Sequence, residues 1–188
     1  MSSRVNDALS RIEFELAAKG ASYATLRRVP QTGPDETASR IKDHAGDPHP
    51  DLVAWFQWQN GARTHADGST PPIFADTRTV GLDEYLAQDD SLRRWFDIEI
   101  GSLSPWVIIA QRQSNELLMH AQSGEIFRLQ NREHIGKIDA SLSELLDTWT
   151  EVMRNTLQWD DEHQSWREAE PKSPALIPDP ELVRRAGY

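Results

Sequence analysis

Apolar residues recur at helical spacing at the start of the chain. Val5, Leu9, Ile12 and Leu16 are three or four positions apart, which places them on one side of a helix. Gly20 follows, and glycine readily takes the left-handed conformation that ends many helices. The pattern therefore predicts a first amphipathic helix that packs on a core through this side.

Signals at the ends of segments predict two more helices. The stretch 32–46 opens with Gly33 and Pro34, has acids in its first turn and ends in Gly46. We expect a short second helix there.

The third helix has the clearest boundaries. His49 can cap it, Pro50 suits its first position, and Asn60 with Gly61 permits a left-handed exit. The side expected to face the core consists of Leu52, Trp55, Phe56 and Gln59.

Shorter apolar runs in the second half of the chain predict strands. Segments 106–111, 116–121 and 125–129 are rich in branched and apolar residues and are of strand length. Another short strand is expected at 73–74, followed by a helix over 82–96. Consecutive short runs joined by turns indicate an antiparallel meander of about four to five strands.

A capping box predicts a long closing helix. Ser141 and Glu144 have the S-x-x-E spacing in which the two residues cap each other's backbone N–H groups. The apolar stripe that follows consists of Leu142, Leu145, Leu146, Trp149, Val152, Met153 and Leu157. We expect this helix to pack on the sheet.

The order of these elements predicts the fold class and the domain organisation. Helices come first, consecutive strands follow and a helix closes the chain, which favours a segregated α+β domain over alternating βαβ units. We assign residues 1–166 to one domain. Residues 167–188 form a tail that holds four of the eleven prolines.

Composition narrows the range of functions. The chain of 188 residues has no cysteine, and its 30 acidic residues exceed its 20 Lys and Arg residues, giving a formal charge of -10. This charge disfavours nucleic acid and anionic lipid as partners, and it attracts basic proteins. The amphipathic N-terminus has no signal-peptide pattern and no segment is long enough to span a bilayer, so we expect a cytoplasmic protein without membrane contact.

The sequence contains no motif that ties a fold to a reaction. Walker A, G-x-S-x-G, G-x-G-x-x-G and H-E-x-x-H patterns are all missing, and the six histidines are scattered. We therefore expect no enzyme, no metal and no cofactor. The densest polar cluster, Asp160 to His163, lies between Trp159 and Trp166, and we interpret it as a hairpin turn whose tryptophans pack inward. A cation site or an acid and base pair is the alternative.

Candidate contact residues come from exposed acids and one tryptophan. Trp58 falls off the side of the third helix that carries Trp55, so we treat it as an exposed anchor residue. The acidic candidates for protein binding are Asp89, Asp90, Asp97, Glu99, Asp160, Asp161 and Glu162.

Four segments, in this order, resemble the SUKH superfamily of bacterial immunity proteins and fungal cell-wall assembly regulators. They are PDLVAWFQWQNGA, SPWVIIAQ, LLMHAQSGEIFRL and SLSELLDTWTEVM, and the resemblance spans about residues 28 to 166. The positions that match the family pattern are Pro50, Trp55, Asn60, Gly61, Trp106 and Gly124. The chain departs from that pattern in lacking a proline soon after Trp106, and in having His120 and Ala121 where an aspartate is common.

The resemblance implies a non-enzymatic binding module. In this interpretation the chain is an immunity-type protein that neutralises a toxin by binding and occluding it, and the partner is a basic toxin domain. One alternative is a housekeeping regulatory or scaffold protein of the same fold. Another, of a different class, is a metal-dependent hydrolase or a small-molecule binder. The sequence leaves the oligomeric state open.

Overall fold

The computed structural model of the chain describes residues 3–87, 105–113, 115–130, 134–138 and 140–169. Its helices are α1 (Ser3–Ala18), α2 (Tyr23–Leu26), α3 (Pro34–Ala45), α4 (Pro50–Trp58), α5 (Leu82–Ala87) and α6 (Leu142–Thr156). Its strands are β1 (Arg78–Thr79), β2 (Trp106–Arg112), β3 (Asn115–His120), β4 (Ile126–Gln130), β5 (His134–Ile138), β6 (Leu157–Asp160) and β7 (Ser165–Glu168).

The fold is α+β, as the sequence predicts. Five strands form one antiparallel sheet in the order β1-β2-β3-β4-β5, and β6 pairs with β7 in a separate two-stranded sheet. Residues 107–110 of β2 and 116–119 of β3 are buried on both faces of the sheet. Burial on both faces explains why these strands are continuous apolar runs rather than alternating ones.

The first and last long helices lie side by side and close the core. Arg11 of α1 forms a bidentate ion pair with Asp147 of α6, and Arg154 of α6 contacts the buried Glu15. In the core, Trp149 of α6 stacks on Phe74 with ring centroids 5.3 Å apart. The apolar stripe of α6 thus belongs to the same core as the sheet, which confirms the prediction for this helix.

The predicted end signals of the helices are confirmed where the structure describes them. The Nδ1 atom of His49 accepts a hydrogen bond from the Asp51 N–H at 3.2 Å, Pro50 is the first residue of α4, and Gly61 has φ 76°. The capping box at α6 is complete, with Ser141 and Glu144 each bonded to the other's backbone. These local rules therefore fix where α4 and α6 begin.

A polar junction joins the end of α4 to the start of α5. The Asn60 side chain donates to Asp83 Oδ2 at 2.6 Å and accepts from the Asp83 N–H at 3.2 Å. Arg40 donates to the other oxygen of Asp83 at 2.7 Å, and this hydrogen bond is the main reason why the pKa of Asp83 lies below its usual value. Gly81 sits so close that an added Cβ would lie 2.6 Å from the Asn60 carbonyl group. Asp83 therefore links α3, the end of α4 and α5, and its contacts give Asn60 a role beyond ending α4.

Two other positions of the SUKH-like pattern also have structural contacts. Trp106 lies edge-on to His120 and Phe127, at centroid distances of 5.0 and 4.5 Å. Gly124 has φ 74°, and an added Cβ there would meet the His49 ring at 3.0 Å. The start of α4 therefore packs directly on the turn between β3 and β4.

Several predicted boundaries are wrong. Residues 73–77 form a tight turn closed by hydrogen bonds between Thr77 and both Ile73 and Phe74, so the strand begins at Arg78 rather than at 73–74. The apolar stripe assigned to the closing helix includes Leu157, which instead opens β6.

The structure also contains two elements that the sequence pattern did not predict. The short α2 and the edge strand β5 are both additional. The described part of the helix predicted over 82–96 is α5, and its remainder lies outside the described residues. Arg167 and Glu168, assigned to the tail, pair within β7, and residues 170–188 also lie outside. No helix among the described residues is long and apolar enough to cross a membrane.

Candidate functional site

The candidate site is the β6–β7 hairpin, which follows directly from the end of α6. Trp159 and Trp166 face each other across the two strands, with ring centroids 5.3 Å apart in an edge-to-face arrangement. Both side chains are largely buried, at 7% and 9% exposure. The predicted turn with inward-packed tryptophans is therefore confirmed.

Asp160 organises the turn. One of its carboxylate oxygens accepts hydrogen bonds from the backbone N–H groups of Glu162 at 3.0 Å and His163 at 3.2 Å. The other oxygen contacts the Arg167 guanidinium and lies 3.0 Å from His163 Nδ1. Burial acts to raise the pKa of Asp160, but the His163 N–H, the charge of Arg167 and the Glu162 N–H outweigh it and lower that pKa. The Asp160 carboxylate thus makes its contacts within the hairpin, although the sequence suggested Asp160 as a residue that contacts a protein partner.

Asp161 and Glu162 are the acids that the turn presents to solvent. Asp161 is exposed, yet its carboxylate accepts a hydrogen bond from Trp159 Nε1 at 2.9 Å, which holds the side chain in place. Gln164 closes the loop by donating to the Asp161 carbonyl at 2.6 Å. Glu162 is exposed and has no cation within ion-pair distance among the described residues. The turn therefore carries two carboxylates on a preformed backbone.

The contacts of the hairpin also concern the two alternative interpretations of the Asp160 to His163 cluster, namely a cation site and an acid and base pair. His163 lies next to Asp160, as in a carboxylate and histidine pair, but Arg167 also reaches His163 Nδ1, at 2.6 Å. In the described part of the chain, no group of three or more His, Asp and Glu side chains is arranged to hold a metal ion. These contacts indicate that Asp160, His163 and Arg167 stabilise the conformation of the turn.

Trp58 is not the exposed anchor that the sequence suggested. Its ring is partly buried, stacks on Tyr23 at 6.1 Å and lies 5.7 Å from Trp55. The Arg27 guanidinium sits 4.5 Å from the ring centroid, and Trp58 Nε1 donates to Glu13 at 3.2 Å. The correction follows from α2, a short helix that the sequence pattern missed and that brings Tyr23 against this side of α4.

The exposed negative charge is unevenly distributed. Nine Lys and Arg side chains of the described residues form ion pairs with carboxylates. Apart from Glu144, which caps α6, the exposed carboxylates of the described residues outside these ion pairs are Asp7, Asp35, Glu36, Asp43, Asp67, Glu151, Asp161, Glu162 and Glu168. Four of the nine lie on α6 or the hairpin, and three lie on α3. The acids of α3 were predicted only as partners of the helix dipole, so sequence reasoning missed this second surface.

The remaining acidic candidates, Asp89, Asp90, Asp97 and Glu99, lie outside the described residues.

A cleft of about 460 Å³ separates the hairpin from the β1 edge of the large sheet. Sequence reasoning missed this cleft, because the residues that line it come from three separate parts of the chain.

No protein-family model matches this chain, and no curated protein is significantly similar to it.

Proposed function

We propose that the chain is a non-enzymatic protein-binding domain that neutralises a basic partner by covering its active surface, as an immunity protein does to a toxin. The observation that carries this proposal is the acidic turn at Asp161 and Glu162, which is ordered before any partner arrives. A preformed contact loop avoids the entropy cost of ordering on binding. The resemblance to the SUKH superfamily supports the same class of function.

The charge distribution supports a basic partner. Of the nine exposed carboxylates named above, seven lie on α6, the hairpin or α3, and they add negative charge to those surfaces. Complementary charge accelerates encounter and selects among partners, whereas affinity comes from a few desolvated contacts. We therefore expect the hairpin to guide and orient a cationic protein surface.

The test is a titration against the purified cationic domains encoded by neighbouring genes. For a domain with measurable activity, such as a nuclease, we expect inhibition that is complete at one equivalent of this chain and that stops increasing there. An equimolar complex on size-exclusion chromatography should accompany it. Inactivation by far less than one equivalent would instead indicate catalysis, and the absence of any complex at low salt would refute the proposal.

A further inference from the structure

The cleft between the hairpin and the large sheet has the features of a ligand site. Thr70, Pro72 and Ala75 line one side, Arg78 and Arg112 extend from β1 and β2, and the hairpin supplies Trp166 on the other side. Its volume of about 460 Å³ falls within the range of about 300 to 1,000 Å³ that is typical of small-molecule sites. The cleft is thus large enough for a single side chain or a small organic molecule.

Two arginines line the cleft, and an ion pair positions each of them. Arg78 pairs with Glu84 and Arg112 with Asp76, which also lines the cleft. Arg78 uses one N–H on Glu84 at 2.8 Å and another on Gln111, which leaves part of its five-donor fork for a ligand. Arg112 is held by Asp76. Two positioned arginines on adjacent strands favour a planar anion such as a carboxylate.

Backbone strain is concentrated at this cleft. Three non-glycine residues of the described chain have positive φ: Ala75 at 47°, Gln113 at 49° and Gln164 at 48°. Ala75 and Gln164 line the cleft, and Gln113 follows Arg112 and donates to Asp76 at 3.1 Å. Side chains rarely adopt this conformation, and it persists only where the surrounding structure enforces it, often at binding sites. Each of the three residues lies in a turn, so the turns beside the cleft have defined backbone conformations.

The lining of the cleft includes apolar side chains. Trp166 and Pro72 provide hydrophobic surface from its two sides. The indole N–H of Trp166 is buried and has no hydrogen-bond acceptor among the described residues. Buried donors without acceptors are uncommon, and each one calls for an explanation. Together the walls match a ligand with an apolar body and a charged end.

We propose that this cleft binds a carboxylate attached to an apolar body. The carboxylate sits with Arg78 and Arg112, and the body lies against Trp166 and Pro72. Two sources carry this chemistry, namely a small organic acid and the C-terminal residue of a peptide. The cleft shares Gln164 with the hairpin turn. The proposal depends on the two arginines, however, and not on the two exposed acids of the turn, so it can fail or stand without the proposed function.

The probes are N-acetyl-phenylalanine, its C-terminal amide and an acetylated tripeptide that ends in phenylalanine with a free carboxylate. Binding is followed on the full chain by two-dimensional NMR, with the indole N–H signals as reporters. We expect saturable shifts with the free acid and binding at least tenfold weaker with the amide. Tighter binding of the tripeptide identifies a chain terminus as the source, whereas equal or weaker binding identifies a small acid.

Variants locate the site. Arg78→Gln should weaken binding of the acid at least tenfold, and Arg78→Lys, which keeps the charge but loses the planar fork, should fall between it and the original chain. The control is Arg63→Gln, because Arg63 is exposed and does not line the cleft. Unchanged spectra of the unliganded variants establish that they fold. The proposal is overturned if the acid and the amide bind equally, if Arg63→Gln weakens binding as much as Arg78→Gln, or if no shift saturates up to 20 mM acid.

Discussion

The main core and the β6–β7 hairpin both depend on tryptophan, but they hold it in different ways. Trp149 stacks on Phe74 inside a core built from α1, α6 and the sheet, and it is 1% exposed. Trp159 and Trp166 pack edge-to-face on a two-stranded sheet whose turn is held by Asp160. Apolar layers stabilise the first region, whereas ionic and backbone contacts shape the turn of the second. The hairpin can therefore present polar groups on its turn while its two tryptophans join the edge of the same core.

The largest expected effect is in the main core. Trp149→Ala removes a fully buried ring and leaves a cavity, so the free energy of unfolding should fall by about 3 to 5 kcal/mol. Trp166→Ala is the matched change in the hairpin and should lower it less, because that ring packs on a smaller sheet. Urea denaturation of both variants measures the difference. Equal losses would show that Trp166, at the edge of the core, contributes as much to stability as Trp149 does at its centre.

The next effect concerns the junction that holds the main core's helices. Gly81→Ala places a Cβ 2.6 Å from the Asn60 carbonyl group, and relieving that overlap should cost about 1 to 3 kcal/mol in stability. Gly136→Ala is the control, because an added Cβ there meets nothing within 4 Å. Thermal and urea unfolding should separate the two variants. If Gly136→Ala destabilises the chain as much, the close approach at Asn60 does not limit stability.

A smaller effect is expected at the start of α6. Ser141→Ala removes the side chain that caps the helix, and loss of such a cap typically costs about 1 kcal/mol. Ser141→Thr keeps the hydroxyl and should retain most of the stability. The midpoint of urea unfolding is the readout. Indistinguishable midpoints for the alanine and threonine variants would contradict a role for the capping box.

The smallest effect is local and depends on pH. The pKa of Asp160 is lower in the folded hairpin than its ordinary value of 3.8, so its ionised form stabilises the turn. That contribution is complete above the unfolded pKa and is lost as pH falls through the lower, folded value. Hydrogen exchange at the Glu162 and His163 amides should therefore accelerate below about pH 3.8, beyond its intrinsic pH dependence.

The matched variants for this pH effect are Asp160→Asn and Asp7→Asn. Asp160→Asn should give weaker amide protection at neutral pH and a flatter profile, because it removes the charge that Arg167 contacts. Asp7→Asn changes an exposed acid far from the turn in sequence and should keep the original profile. Hairpin protection that stays constant from pH 5 to pH 2 in the unmodified chain would contradict the role of Asp160.

Sequence reasoning succeeded where local chemistry decides the structure. His49 with Pro50, and Ser141 with Glu144, carry their capping signals within a few residues, so α4 and α6 were placed correctly. The hairpin turn was found because its two tryptophans flank a polar run. Strand β5 has only two large apolar residues and a glycine, and its pairing with β4 is a tertiary effect that no local pattern shows.

The candidate site was only partly predictable for the same reason. Asp160 and Glu162 have the same exposed-acid appearance in sequence, yet backbone geometry partly buries Asp160 and leaves Glu162 exposed. Trp58 appeared free because the contact with Tyr23 depends on how α2 folds back. The cleft requires Pro72, Arg112 and Trp166 to meet across long sequence separations, and periodicity carries no information about such meetings.

The most direct test of the central claim is the association rate with a basic partner found in the titration, measured for charge reversals at two places. Glu162→Lys reverses a charge on the preformed turn, and Asp7→Lys makes the same change on α1. We expect Glu162→Lys to slow association at least tenfold in 50 mM salt and Asp7→Lys to change it less than twofold, and we expect 500 mM salt to reduce the difference. Equal rates for the two variants at low salt would contradict the claim.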